Sequence, residues 1–84
     1  MTNKYVWIIR GDWPVDLKAY SKWSLGYSAM SDICSQIASE LNVQPQECWY
    51  EVCGKANEDV TMVLSRIGVE GRLCKLTLYK VEVV

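Results

Sequence analysis

Four cysteines, Cys34, Cys48, Cys53 and Cys74, are the side chains with the widest chemical range in this chain, and histidine, their usual co-worker, is absent. A zinc site needs cysteines in tight knuckles such as Cys-x2-Cys. The closest pair here, Cys48 and Cys53, is five residues apart on a segment that alternates like a strand, so the two thiols leave it on opposite faces. Cys34, Cys48 and Cys74 fall on apolar faces, where a free thiol behaves as a small hydrophobe. Buried thiols are the better reading, with Cys53 the one expected to be exposed or reactive. No metal and no cofactor are expected.

Without histidine there is no Ser-His-Asp or Cys-His relay and no imidazole ligand. A general acid or base would have to be a carboxylate, Lys, Tyr or Cys with a strongly displaced pKa. The acids have structural explanations instead: Asp32, Glu58 and Asp59 stand near expected helix N-termini, and Glu47 and Glu51 lie on the wet face of a strand. The chain is therefore read as a non-enzyme. Arg10-Gly11-Asp12 matches an adhesion tripeptide, but three residues match by chance and a turn closing the first strand accounts for them. Gly68-Val69-Glu70-Gly71 lacks the following lysine and helix of a phosphate loop.

One segment interleaves rings with positive charge. From Arg10 to Tyr27 come Trp13, Lys18, Tyr20, Lys22, Trp23 and Tyr27, a combination able to stack single-stranded bases and follow phosphates. The competing use is packing. A chain of 84 residues hides only about 60–65% of the surface its unfolded form exposes, so a small core claims every ring it can reach.

These residues must be positioned by local elements. Lys4–Arg10 is β-branched and aromatic, with Tyr5, Trp7 and Ile9 on one face and Val6 and Ile8 on the other; an apolar strand on both faces predicts a central place in its sheet. Gly11-Asp12-Trp13-Pro14 signals a turn. Residues 15–27 read as a long connection holding about two helical turns, Leu17, Tyr20 and Trp23 following Asp16 at helical spacing. Met30, Ile33, Cys34, Ile37, Ala38 and Leu41 make a helical stripe over 29–42, with Ser28 or Ser31 as cap. In 47–53, Cys48, Tyr50 and Val52 alternate with Glu47, Trp49, Glu51 and Cys53, which predicts a half-buried strand. A second helix is predicted over 58–67, capped by Asn57, striped by Val60, Val63, Leu64 and Ile67, and stopped by Gly68. The last strand, 72–83, changes phase after Leu78 toward Val81 and Val83, which suggests a bulge or a strand leaving the sheet.

The expected fold is α+β: one domain over 1–84, with a single-layer sheet of three or four strands and two helices on one face, in the order strand, connection or short helix, helix, strand, helix, strand. Such a sheet has a second face that the connection or a partner must cover.

Charge is uneven: residues 1–27 balance at +2, 28–60 at −5 and 61–84 at +2. This mild basic bias at both ends is far from a nucleic-acid footprint. No leader and no apolar run of membrane length is seen, so a cytoplasmic protein with reduced thiols is expected. Four Trp and five Tyr with no Phe favour half-wet and interface positions. The leading reading is a small regulator or inhibitor that docks on a larger protein, or self-associates, through that surface. Trp7, Trp13, Trp23, Trp49 and Tyr20 are the expected anchors, rimmed by Arg10, Lys18 and Lys22. Its size also suits inhibitors encoded by viruses and mobile elements. The alternative is a single-stranded nucleic-acid binder using residues 10–27.

Overall fold

In the computed structural model, which describes residues 4–12 and 18–83, strand β1 (Lys4–Gly11) leads to a two-residue β2 (Ala19–Tyr20) and one long helix, α1 (Trp23–Glu40). A 3-10 turn at Pro45–Glu47 follows, then β3 (Cys48–Cys53), β4 (Val60–Arg66) and β5 (Cys74–Val83). All pairings are antiparallel, in the order β2-β1-β5-β4-β3. The expected sheet of three or four strands with two helices is thereby corrected to five strands and one α-helix among the described residues.

The correction turns on residues 58–67. Val60, Val63, Leu64 and Ile67 satisfy a helical period, but Val60, Met62 and Leu64 also alternate, and these three are the buried ones. A helix of some ten residues is marginal alone. As β4 the same segment bonds to β3 on one side and β5 on the other. Asn57 is no cap: its φ of 64°, with Gly54 at 128°, bends the β3–β4 hairpin. A Cβ on Gly54 would also lie 2.5 Å from the Asp59 carbonyl oxygen, so glycine is required there.

Helix α1 keeps Met30, Ile33, Cys34, Ile37 and Ala38 of the predicted stripe, but Leu41 is its exposed C-cap, and the helix starts about six residues early, at Trp23. Its N-cap, Lys22, offers no side-chain bond, and no acid marks the first turn, so the usual start signals are missing. Tyr20, expected in a helical turn, pairs instead with Trp7 as β2; Trp13, Asp16 and Leu17 lie outside the described residues. The helix buries Gly26, Met30, Cys34, Ile37 and Ala38 over β1 and β5. Leu64, Leu76, Leu78 and Val60 meet it from the sheet, each fully buried, and each such side chain contributes about 1.5–3 kcal/mol.

β5, not β1, is the central strand. Its change of phase is no bulge, since the register with β1 runs unbroken from Lys4↔Val83 to Gly11↔Leu76. The ribbon outlasts the last β4 pairing, Val60↔Leu78. Beyond that point the helix-side positions become Lys80 and Glu82, with the Lys80 ammonium over the rings of Tyr5 and Trp7 at 4.6 and 5.8 Å. The orphaned Lys80 N–H donates to Asp59 Oδ1 at 3.0 Å.

Candidate functional site

Register assigns every strand residue to a face. Trp7 and Ile9, Leu76 and Leu78, Met62 and Leu64 point under α1 and form the core. The opposite face receives Val6, Ile8 and Arg10 from β1, Lys75, Thr77, Tyr79 and Val81 from β5, Thr61 and Val63 from β4, and Trp49 and Glu51 from β3. No described helix lies over this second face. Val6, Ile8, Tyr79 and Val81 are half-buried side by side on the β1–β5 ribbon, Val63 is half-buried between Lys75 and Glu51, and Trp49 stands 46% exposed. Thr61 and Thr77 share a hydroxyl contact of 3.3 Å across the strands, and the Arg10 guanidinium sits 5.8 Å from the Tyr79 ring. The face is thus divided: Val6, Ile8, Tyr79 and Val81 cluster at the β1–β5 end, Val63 and Trp49 lie toward β3, and Arg10, Thr77, Thr61 and Lys75 run between them.

The expected anchors separate. Trp7 is 6% exposed and belongs to the core, which corrects its reading as a surface anchor: odd residues of β1 lie beneath the helix. Trp23 and Tyr27 stack on each other at 4.9 Å one helical turn apart, both packed against the core, and the Trp23 indole N–H donates to the Glu58 carbonyl at 2.9 Å. Tyr20 also packs on the core, with the Lys18 ammonium 5.7 Å from its ring. Lys22 is exposed beside the helix start, away from the open face. Of the expected anchors and rim residues, Trp49 and Arg10 are brought to that face; Trp13 lies outside the described residues. Val6, Ile8, Val63 and Tyr79 went unnoticed as surface residues. Their alternation was legible, but which phase faces water was not.

Chemistry-bearing groups are dispersed. Among the described residues, no three His, Cys, Asp or Glu side chains gather to hold a metal ion. Cys34 and Cys74 meet in the core between α1 and β5. Burial and the neighbouring Cys74 thiol push Cys34 up to about 12, and burial raises Cys74, so both stay protonated and unreactive at neutral pH. Cys53 is exposed and Cys48 half-buried. Asp12 is held below the usual carboxylate range by Arg72, whose Nε donates to Asp12 Oδ2 at 2.7 Å. This pair explains two residues of the adhesion-like tripeptide: Asp12 anchors Arg72, and a Cβ on Gly11 would overlap the Lys75 carbonyl oxygen.

No family model, curated protein or solved structure matches the chain.

A cleft of about 300 Å³ lies between the C-terminal half of α1 and β3, bounded by Ser35, Ser39, Asn42, Gln44 and Tyr50. That volume is at the lower end for ligand sites. Its walls supply the hydroxyls of Ser35, Ser39 and Tyr50 and the amides of Asn42 and Gln44, groups that donate and accept hydrogen bonds. Among the described residues, no helix is long and apolar enough to cross a membrane.

Proposed function

We propose that this protein is a non-enzymatic interaction module, a regulator or inhibitor that docks on a larger protein through the open face of its sheet. One observation carries the reading: among the described residues the five-stranded sheet has a helix over one face, while the other presents an apolar cluster of Val6, Ile8, Tyr79 and Val81 on the β1–β5 ribbon and, apart from it on β3, an exposed Trp49. Contiguous apolar surface rimmed by polar groups marks interaction sites. Trp, Tyr and Arg, which hold most interface energy, are present as Trp49, Tyr79 and Arg10. Among the described residues the acids and thiols are dispersed and none of them lines the cleft, which supports binding over catalysis.

The nucleic-acid alternative draws on Arg10 beside Tyr79, with Lys75 on the same face, since sheet aromatics stack bases in some RNA-binding domains. The segment 10–27 supports it less well, because Trp23, Tyr27 and Tyr20 are spent on packing. Salt separates the two. Native mass spectrometry of the protein from its own cells, prepared at low and high salt, should find a co-purifying protein that persists at high salt and is lost on Ile8→Glu. An oligonucleotide that disappears with salt would replace the reading.

A further inference from the structure

Strand β3 is an edge with unusual exposure. Trp49, Tyr50 and Val52 are 46%, 44% and 43% exposed, and β3 has a described partner only on its inner side. The opposite edge of the sheet is blunted, because β2 is two residues long. Native edges are normally guarded by charges, proline or a bulge. β3 reads Cys-Trp-Tyr-Glu-Val-Cys, with a regular register to β4 and Glu51 as its single charge.

The backbone phase on this strand follows from one bond. The Ile67 N–H donates to the Glu47 carbonyl at 2.8 Å, so Glu47 and, by alternation, Trp49, Glu51 and Cys53 turn their backbone groups toward β4. Cys48, Tyr50 and Val52 therefore turn theirs outward, at the free edge. An added antiparallel strand would be bonded through these three residues.

We infer that the occupant of this edge is a second copy of the same chain, paired antiparallel about a two-fold axis through Tyr50. An edge-to-edge two-fold must place one residue opposite itself. Centring on Glu51 would set Glu51 against Glu51. Centring on Trp49 would set Glu47 against Glu51. Centring on Tyr50 sets Cys48 opposite Val52, Trp49 opposite Glu51 and Glu47 opposite Cys53, so no like charges meet, and every outward N–H and C=O of Cys48, Tyr50 and Val52 gains a partner. Tyr50 then meets its counterpart at the mouth of the cleft beside α1. The product is one continuous ten-stranded sheet with both helices on one side and the two open faces side by side on the other. A six-residue edge is smaller than the roughly 800 Å² per partner of a standard interface, so the dimer dissociates on dilution. It is bonded through the β3 edge, sharing only the β3 residues Trp49, Glu51 and Cys53 with the open face, and goes beyond the docking reading above.

The test is sedimentation velocity of the full chain over a range of concentrations, for wild type and Tyr50→Lys. A monomer–dimer equilibrium in wild type, abolished by Tyr50→Lys with an unchanged circular dichroism spectrum, is the expected result. Cysteine trapping fixes the register. In a Cys48→Ser, Cys53→Ser background, Tyr50→Cys should oxidise to a disulfide-linked dimer, because directly bonded partners stand about 5.5 Å apart at Cα, within disulfide reach. Val52→Cys, four residues from its symmetry mate, should not. A wild-type chain that stays monomeric overturns the inference, as does a dimer that ignores Tyr50→Lys or links equally through Val52→Cys. If that monomer still loses its co-purifying protein on Ile8→Glu, the docking reading survives; if Tyr50→Lys is what releases that protein, the edge belongs to a foreign strand and the self-pairing is wrong.

Discussion

Cys53 and Cys34 have the same side chain and opposite fates, decided by where each thiol points. Cys53 is exposed while Cys34 and Cys74 are enclosed between helix and sheet, so a thiol reagent should titrate Cys53 rapidly, Cys48 slowly and the other two only on unfolding. Faster modification of Cys34 in native buffer would refute the packing described. Because the folded Cys34 pKa, about 12, lies above the ordinary 9.0, its stabilising share is intact below pH 9. Between those values the unfolded chain releases a proton that the folded one retains, so stability falls as pH rises. Denaturation midpoints should decline above pH 9 in wild type and decline less steeply in Cys34→Ala. Asp12 has the opposite sign: Arg72 lowers its pKa, so its contribution is present above the normal carboxylate value and fades on acidification. At the exposed Asp12–Arg72 pair the effect is small.

At the level of elements, the most informative residues stand where two structures approach closely. A Cβ on Gly26 would lie 2.6 Å from Leu78 Cδ1, in the fully buried centre of the helix–sheet contact. Gly26→Val should therefore destabilise the fold by about 1–3 kcal/mol, read from denaturant unfolding, although glycine is itself a poor helix former. Asp59 provides a direct test of β4 as a strand. As the acceptor for the Lys80 N–H, it secures the ribbon where β4 pairing ends. Asp59→Ala should cost roughly 0.5–1.5 kcal/mol and speed hydrogen exchange at Lys80, an effect that a first-turn helix residue would not have.

For the molecule as a whole, a helix over one face of the sheet means that the two faces answer differently to the same mutation. Ile8→Thr and Val63→Thr, on the half-buried open face, should change unfolding free energy by under about 1 kcal/mol each, since little apolar area is regained from water. Leu76→Thr, fully buried under α1, should cost several-fold more, about 2–5 kcal/mol. Equal losses on the two faces would mean that the open face is covered, and would remove the surface on which docking is proposed.

The helix stripe from Met30 to Ala38, the β-branched and aromatic run of β1, and the alternation of β3 and of β5 up to Leu78 were legible in the residues alone, because each signal is local. The lack of histidine chemistry was equally plain from composition. Residues 58–67 were not decided locally: their apolar pattern fits both periods, and only the flanking β3 and β5 make the strand the better bonded choice. Nor could alternation say which phase faces water. Trp7 and Trp49 stand on similar strands, yet one lies beneath the helix and the other on the bare face. That difference depends on strand order and on the side the helix packs, both set by contacts between residues far apart in the chain.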